Sequence, residues 1–184
     1  PMFEVLNSQK NEIDNSNILG KLKLEPGKYF LISCHREENV DNSKNFKLLV
    51  ESLNQLAITY NIPIIFPIHP RTKKIYDKSK LKLDKLVKFI DPLGFHDYNK
   101  LQIESFVVLS DSGTIFEESS ILNFRALNIR ESHERPEAIE ETTVVVTGLK
   151  IERILQGIKM LENQTIGKMR NISLVADYNI PNIS

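Results

Sequence analysis

Six short apolar segments, separated by polar or helical stretches, restrict the fold of this chain more than any other feature. Each segment contains a run of apolar residues instead of a strict alternation, which is typical of strands buried on both faces of a parallel sheet. Strands that alternate with helices favour an α/β domain with a doubly wound parallel sheet. The predicted strands are residues 29–34, 62–68, 86–90, 106–110, 125–129 and 142–148.

Helical spacing fills most of the intervals between these strands. Apolar residues recur every three or four positions from Phe46 to Tyr60, behind capping side chains at residues 41–43. Further helices are predicted in the lysine-rich stretch 71–86 (with a loop), around 100–104, from Gly113 to Leu122, and over 151–161. With 184 residues the chain is predicted to form one domain, residues 1–163, and a tail, residues 164–184, where the periodicity stops.

The composition excludes several classes of protein. Lysine plus arginine and aspartate plus glutamate both number 24, so the formal charge is zero and a nucleic-acid or membrane footprint over the whole domain is not expected. One cysteine excludes an internal disulfide. Apolar runs stay well below the roughly 20 residues that span a bilayer, and the N-terminus is unlike a signal peptide. A cytoplasmic protein is therefore predicted, and because it begins with Pro1 we expect a piece of a longer chain.

Unusual polar residues follow the predicted strands. They lie in the segments HREEN, HPRTKK, DPLGFHD, DSG and RESHERPE. In doubly wound sheets, ligands bind outside the carboxyl ends of the strands, near the point where the strand order reverses. These loops are therefore predicted to form the ligand site.

Ser112 and Gly113 stand at the start of a predicted helix. Free N–H groups, a hydroxyl and the positive end of the helix dipole would suit a phosphate there, but Asp111 or Ser112 could equally be an ordinary helix cap. Glu117 and Glu118 follow one turn later. One of them could accept hydrogen bonds from a ribose, or both could belong to a solvated helix face.

Arginine and histidine side chains supply the remaining candidates. Arg135 could bind a diphosphate through both arms of its guanidinium, or pair with a neighbouring glutamate. His35, directly after the first strand, could transfer a proton, whereas Cys34 is predicted to be core because strand neighbours point to opposite faces. His69 could contact a ligand or bond its own loop. The four histidines lack the spacing of a zinc site, so no structural metal and no cofactor are expected.

Five segments together resemble one family, the non-hydrolysing UDP-N-acetylglucosamine 2-epimerases. The segments are CHREENV, PIHPRTKK, DPLGFHDY, SDSGTIFEE and HERPE, which occur in the family's order over residues 1 to about 163. The resemblance implies a Rossmann-like domain that is one half of a two-domain enzyme of the glycosyltransferase-B type. This chain resembles the C-terminal, UDP-binding half; the missing N-terminal domain would carry the acid/base carboxylates.

The resemblance also implies roles for individual residues. Ser112 and Gly113 would hold the β-phosphate, Arg135 would clamp the diphosphate, and Glu118 would bind the ribose. The backbone around Gly94 and Phe95 would contact the uracil, and His35 would assist the departure of UDP. Further candidates for ligand contact are Arg36, Glu38, His69, Thr114 and Glu117. The implied partners are UDP, a UDP-2-acetamido sugar and the missing domain, in a full-length enzyme that is a homodimer.

The implied reaction inverts carbon 2 of the sugar by elimination and re-addition of UDP. Glu37 stands where the family often has a second arginine, and Thr114 where it often has glycine. The pattern of residues 110–137 resembles the branch that forms UDP-N-acetyl-L-fucosamine for capsule or O-antigen. PIHPRTKK differs from the motif of an activating second nucleotide-sugar site. The isolated chain is expected to bind UDP without turnover. A glycosyltransferase of the same fold and a non-catalytic UDP-sugar-binding module remain alternatives.

Overall fold

The computed structural model describes residues 2–130 and 144–162 of the chain. Within these residues the strands are β1 (Phe30–Ser33), β2 (Ile64–Pro67), β3 (Val87–Ile90), β4 (Val107–Ser110), β5 (Ala126–Asn128) and β6 (Val144–Val146). The helices are α1 (Met2–Ser8), α2 (Lys10–Asp14), α3 (Ile18–Leu22), α4 (Glu37–Val40), α5 (Ser43–Tyr60), α6 (Pro70–Ser79), α7 (Phe95–Glu104), α8 (Ile115–Leu122) and α9 (Ile151–Leu161). Each predicted strand is confirmed, with shorter bounds.

The strands form one parallel sheet in the order β3-β2-β1-β4-β5-β6. The chain first builds outward from β1 to β2 and β3, and then returns to the other side of β1 to place β4. The strand order therefore reverses between β1 and β4, whose last residues, Ser33 and Ser110, lie opposite each other. The polar segments that follow these two strands must meet at this point.

Apolar layers cover both faces of the sheet. One core cluster joins the sheet to α5 and α9, and the other joins it to α3, α7 and α8. The strand residues Phe30, Leu31 and Ile32 are fully buried because their side chains enter opposite layers. This two-sided burial explains the continuously apolar segments, and the predicted doubly wound α/β fold is confirmed.

The long helix α5 begins as predicted. The Asn42 side chain accepts hydrogen bonds from the backbone N–H groups of Lys44 (3.0 Å) and Asn45 (3.2 Å). This satisfies two of the donors that a helix leaves unpaired in its first turn.

Two helix starts near the strand ends differ from the prediction. The helix predicted to open at Gly113 begins at Ile115, because the Ser112 hydroxyl accepts the N–H of Thr114 and forms a turn first. The HREEN segment, predicted as a loop, overlaps the short helix Glu37–Val40.

The helix predicted around Lys100 begins earlier, at Phe95, with Gly94 as its N-cap residue. No periodicity indicated the N-terminal helices α1–α3, of which α2 and α3 pack beside α7 and α1 packs beside α8. Gln9 bonds His96 (2.7 Å), and the Ser16 hydroxyl donates to Asp97 (2.5 Å). Each of these helices has at most seven residues, too few for an apolar period to repeat.

The predicted tail, residues 164–184, lies outside the described residues, so the domain boundary remains a prediction. Within residues 2–130 and 144–162, none of the helices is both long and apolar enough to cross a membrane.

We predict that Gly157→Ala destabilises the domain although alanine favours helices. Gly157 is buried in α9, and a Cβ there would lie 2.8 Å from side-chain carbons of both Leu127 and Thr147. The overlap should lower the free energy of unfolding by about 1–3 kcal/mol. Urea unfolding measures this, with Gln156→Ala on the exposed side of the same helix expected to change it by less than about 0.5 kcal/mol. Equal effects of the two variants would contradict the close packing.

Candidate functional site

The buried carboxylate of Asp111 organises the meeting point of β1 and β4. Its side chain is fully buried and accepts hydrogen bonds from the backbone N–H groups of His35 (3.1 Å) and Arg36 (3.0 Å). It also accepts from the side chains of Cys34 (3.2 Å) and Asn39 (3.2 Å). One carboxylate therefore ties the loop after β1 to the end of β4. Sequence reasoning considered Asp111 only as a helix cap and missed this contact.

His35 and Cys34 face different surroundings. The His35 side chain is 59% exposed, with its Nδ1 atom 3.4 Å from Asp111. Cys34 is buried, and burial together with the nearby Asp111 carboxylate raises the pKa of its thiol well above the usual range. Because only the thiolate is a strong nucleophile, this environment suits a structural cysteine. The prediction that Cys34 belongs to the core is confirmed, and His35 is the member of the pair that solvent reaches.

The turn at residues 112–114 lies next to the guanidinium of Arg36. The Ser112 N–H donates to the Ser110 hydroxyl (3.1 Å), and the Asn128 side chain donates to the Ser112 carbonyl oxygen (3.1 Å). Gly113 is exposed, and a Cβ at that position would lie 3.8 Å from the guanidinium of Arg36. Arg36, positioned by Asp111, thus brings a positive charge to the glycine that precedes α8.

The start of α8 remains available to a ligand. Thr114 is its N-cap residue and makes no side-chain cap bond within the described part of the chain. Asp111 does not cap α8 either, since its carboxylate serves the loop after β1. A helix N-terminus beside an arginine is a favourable place for an anion, because the helix dipole and the guanidinium charge act together. The geometry therefore favours an anion site over an ordinary capped helix.

Glu118 is held by two side chains. Its Oε1 atom accepts from the Thr114 hydroxyl (2.8 Å), and its Oε2 atom accepts from the amide of Gln102 (2.8 Å). Glu117, its neighbour in α8, is half-buried. The carboxylate of Glu118 is thus fixed one turn beyond Gly113.

Helix α7 presents an aromatic ring to solvent at its first residue. Phe95 is 42% exposed, while the preceding Gly94 has an extended backbone. An exposed ring next to an open backbone segment can accept a planar group by stacking. The structure thus places the predicted uracil contacts at the start of a helix instead of in a loop.

Tyr98 is a site residue that sequence reasoning missed. Burial raises its pKa to about 12, and the carboxylates of Glu118 and Asp111 act in the same direction, while hydrogen bonds to Ser33 and Gln102 act in the opposite direction. The charges of both carboxylates of the site therefore act on Tyr98. It is four residues before Gln102, so one face of α7 carries both, a helical spacing that could have indicated the pair.

The remaining candidates form ion pairs and a helix cap. His69 caps α6, because its Nδ1 atom accepts the N–H of Arg71 (3.2 Å). Arg71 bonds Glu37 (3.0 Å) and Asp41, next to a depression of about 230 Å³ that His35 also lines.

Glu38 accepts a hydrogen bond from Arg130 (2.9 Å), which links the loop after β1 to the end of β5. Arg135 falls in residues 131–143, outside the described part of the chain, so its role stays a prediction. Among residues 2–130 and 144–162, no group of three or more His, Cys, Asp or Glu side chains could hold a metal ion.

Comparison with known families decides what kind of protein carries this site. The family model described as UDP-N-acetylglucosamine 2-epimerase matches residues 1–179, nearly the whole chain. The chain belongs to this family. The sequence-based resemblance to these epimerases is thereby confirmed, whereas assignment to the fucosamine-forming branch stays a prediction.

Relatives of this epimerase-family chain have known structures. The UDP-N-acetylglucosamine 2-epimerase of Rickettsia bellii is 46% identical and superimposes with a TM-score of 0.84 over 97% of this chain and 47% of that chain. The Methanocaldococcus jannaschii UDP-GlcNAc 2-epimerase in complex with UDP-GlcNAc and UDP is 33% identical, with a TM-score of 0.74 over 87% of this chain and 45% of that one.

The chain is shorter than its relatives. The curated UDP-N-acetylglucosamine 2-epimerase of Methanocaldococcus jannaschii is 36% identical over 142 residues, which are 74% of this chain and 38% of that protein. This epimerase-family chain therefore spans less than half the length of the proteins it resembles.

We predict that Asp111→Ala lowers the free energy of unfolding by about 2–4 kcal/mol, since it removes the acceptor of two backbone N–H groups, those of His35 and Arg36. Urea unfolding measures the loss. Asp77→Ala is the matched control, because Asp77 bonds Lys73 (2.8 Å) on an exposed helix face and should contribute less than about 0.5 kcal/mol. A loss for Asp111→Ala no larger than for the control would show that the buried carboxylate does not anchor the loop.

Proposed function

We propose that this chain is the UDP-binding half of a nucleotide-sugar 2-epimerase. The observation that carries the proposal is the meeting of the Arg36 guanidinium with Gly113 and the start of α8, at the point where the strand order reverses. Membership of the epimerase family, and the relative solved with UDP-GlcNAc and UDP, support the choice of ligand.

In the proposed complex the diphosphate lies over the turn at residues 112–114. Ser112 supplies its hydroxyl and Gly113 its backbone N–H group, and α8 adds the positive end of its dipole. Arg36 provides a cation from the loop after β1, which sequence reasoning ranked below Arg135. Arg135 is proposed as a second clamp on the diphosphate. Two guanidinium groups and a helix N-terminus suit the charge of a diphosphate.

The nucleoside would extend along the edge formed by α8 and α7. The ribose hydroxyls are proposed to donate to Glu118, whose carboxylate is oriented by Gln102. The uracil would stack near Phe95 and bond the backbone around Gly94. The chain would thus bind UDP through residues of several separate segments and leave the sugar to point away from the sheet.

His35 is the residue proposed to act in the chemistry. The reaction inverts carbon 2 of a UDP-2-acetamido sugar. UDP leaves as the carbon 2 proton is removed, a proton is then delivered to the opposite face of carbon 2, and UDP adds back to the sugar. His35 lies beside Arg36 with an exposed imidazole, so it could stabilise or protonate the departing phosphate oxygen. Arg36 and the dipole of α8 would stabilise the negative charge that develops on the same group.

The acid/base carboxylates for carbon 2 are proposed to belong to a second, N-terminal domain, in a glycosyltransferase-B arrangement. The chain covers only 47% of the Rickettsia bellii enzyme, which supports such a missing half. We infer a homodimeric, cytoplasmic enzyme that makes UDP-sugars for capsule or other surface polysaccharide, with UDP-N-acetyl-L-fucosamine as the proposed product. By itself the chain should bind UDP without turnover.

Calorimetric titration of the 184-residue chain with UDP tests the proposal. We predict measurable binding, weakened by about 1.5–3 kcal/mol in Arg36→Ala because a charge-assisted hydrogen bond is lost. Arg153→Ala, an exposed arginine on α9, is the charge-matched control and should bind as the parent does. A folded chain that shows no binding at millimolar UDP would refute the proposal.

A prediction for His35 separates catalysis from binding. In the full-length enzyme His35→Ala should lower turnover by roughly 100-fold, as loss of a general acid commonly does, while UDP affinity of the isolated chain changes little. Turnover is followed by deuterium incorporation at carbon 2 in heavy water, which a glycosyltransferase or a non-catalytic binding module would not give. Near-normal turnover with an intact fold would remove His35 from the mechanism.

A further inference from the structure

A line of hydrogen bonds connects the proposed phosphate and ribose positions. The hydroxyls of Ser112 and Thr114 lie 2.8 Å apart, and the Thr114 hydroxyl lies 2.8 Å from Oε1 of Glu118. The Ser112 hydroxyl oxygen also accepts the backbone N–H of Thr114 (3.3 Å). At the far end, the fully buried Gln102 holds Oε2 of Glu118.

The direction of these bonds follows from counting protons. An ionised carboxylate can only accept, so the Thr114 hydroxyl must donate its single proton to Glu118. Thr114 then has none left to give, and the bond between the two hydroxyls must use the proton of Ser112. Without a ligand, the Ser112 hydroxyl proton therefore points at Thr114.

A phosphate at Ser112 needs that same proton. A phosphate oxygen is an acceptor, so Ser112 can bond it only by turning its proton away from Thr114. The free-energy cost of turning the Ser112 proton falls when another donor bonds Glu118. Thr114 then no longer has to donate to the carboxylate and no longer needs the proton of Ser112. Gln102 fixes Oε2, so Oε1 is the oxygen that Thr114 and a ligand hydroxyl share.

We propose that Thr114 is a specificity-determining residue that makes phosphate binding at Ser112 depend on a hydroxyl donor at Glu118. A nucleoside diphosphate carries both a phosphate and ribose hydroxyls. It can therefore replace the Ser112–Thr114 bond and the Thr114–Glu118 bond at the same time. Inorganic pyrophosphate can replace only the bond between the Ser112 and Thr114 hydroxyls. Thr114 then stays bonded to the charged Glu118 and still competes for the Ser112 proton. The site thereby favours the nucleotide over free anions. This inference rests on the proposed UDP site.

The contrasting interpretation is that Thr114 only shapes the turn before α8. A hydroxyl at this position can stabilise a helix start by bonding nearby residues. Under that view, removal of the Thr114 hydroxyl changes the stability of the domain and changes the affinities for UDP and for pyrophosphate by the same factor. The two interpretations therefore differ in the ratio of two affinities, which a purely structural effect leaves unchanged.

The test compares UDP and pyrophosphate on the parent chain, Thr114→Val and Thr114→Ser, with melting temperature as the control for folding. Valine keeps the shape of threonine and removes the hydroxyl. Thr114→Val should bind pyrophosphate roughly three- to tenfold more tightly, the effect of one neutral hydrogen bond, with a smaller gain for UDP. Thr114→Ser should behave as the parent does. Thr59→Val, which removes an exposed hydroxyl that bonds Gln55 in α5, should leave both affinities unchanged.

The outcomes separate this inference from the proposed function. If the parent binds UDP but Thr114→Val leaves the ratio of the two affinities unchanged, or shifts it further towards UDP, the role of Thr114 is refuted while the UDP site stands. If pyrophosphate binds neither chain, the role of Thr114 is refuted as well. If the folded parent does not bind UDP, both proposals fall. Should Thr114→Val melt early, Thr114→Ala removes the same hydroxyl and decides the question.

Discussion

The site depends on one buried carboxylate, that of Asp111. A charge taken out of water is costly unless several donors surround it, and the loop after β1 supplies them from two backbone N–H groups and two side chains. By holding their backbone N–H groups, the carboxylate fixes the backbone positions of His35 and Arg36. Because Asp111 directly precedes Ser112, the same residue sets the position of the turn before α8. Two loops from separate strands thus behave as one structural unit.

The fold could be predicted because it follows from a local pattern. Segments such as 106–109 are apolar at every position, as a strand covered on both faces requires, and the structure buries β4 completely. Helix bounds were predicted less well. The turn that delays α8 until Ile115 depends on a hydrogen bond of the Ser112 side chain, and several other arrangements of the same residues were equally open from the sequence.

The site could be predicted only in outline. Ser112, Gly113 and His35 could be proposed from the sequence because each follows a strand, and the topology brings the ends of these strands together. Asp111 was misjudged because its partners lie between 72 and 77 positions earlier in the chain, and no local spacing reveals such contacts. The approach of Arg36 to Gly113 is hidden for the same reason. Residue types near strand ends can be read from sequence, whereas the pairs they form need coordinates.

The contacts of the N-terminal helices carry a consequence for the order in which the chain acquires its structure. Gln9 and His96 are 87 positions apart, and Ser16 and Asp97 are 81 apart. Helices as short as α1–α3 have little stability before they pack on a partner. During synthesis, residues 2–22 must therefore wait until α7 has left the ribosome. The first part of this domain to be made is therefore expected to be among the last to become ordered, and its docking closes a loop of more than 80 residues.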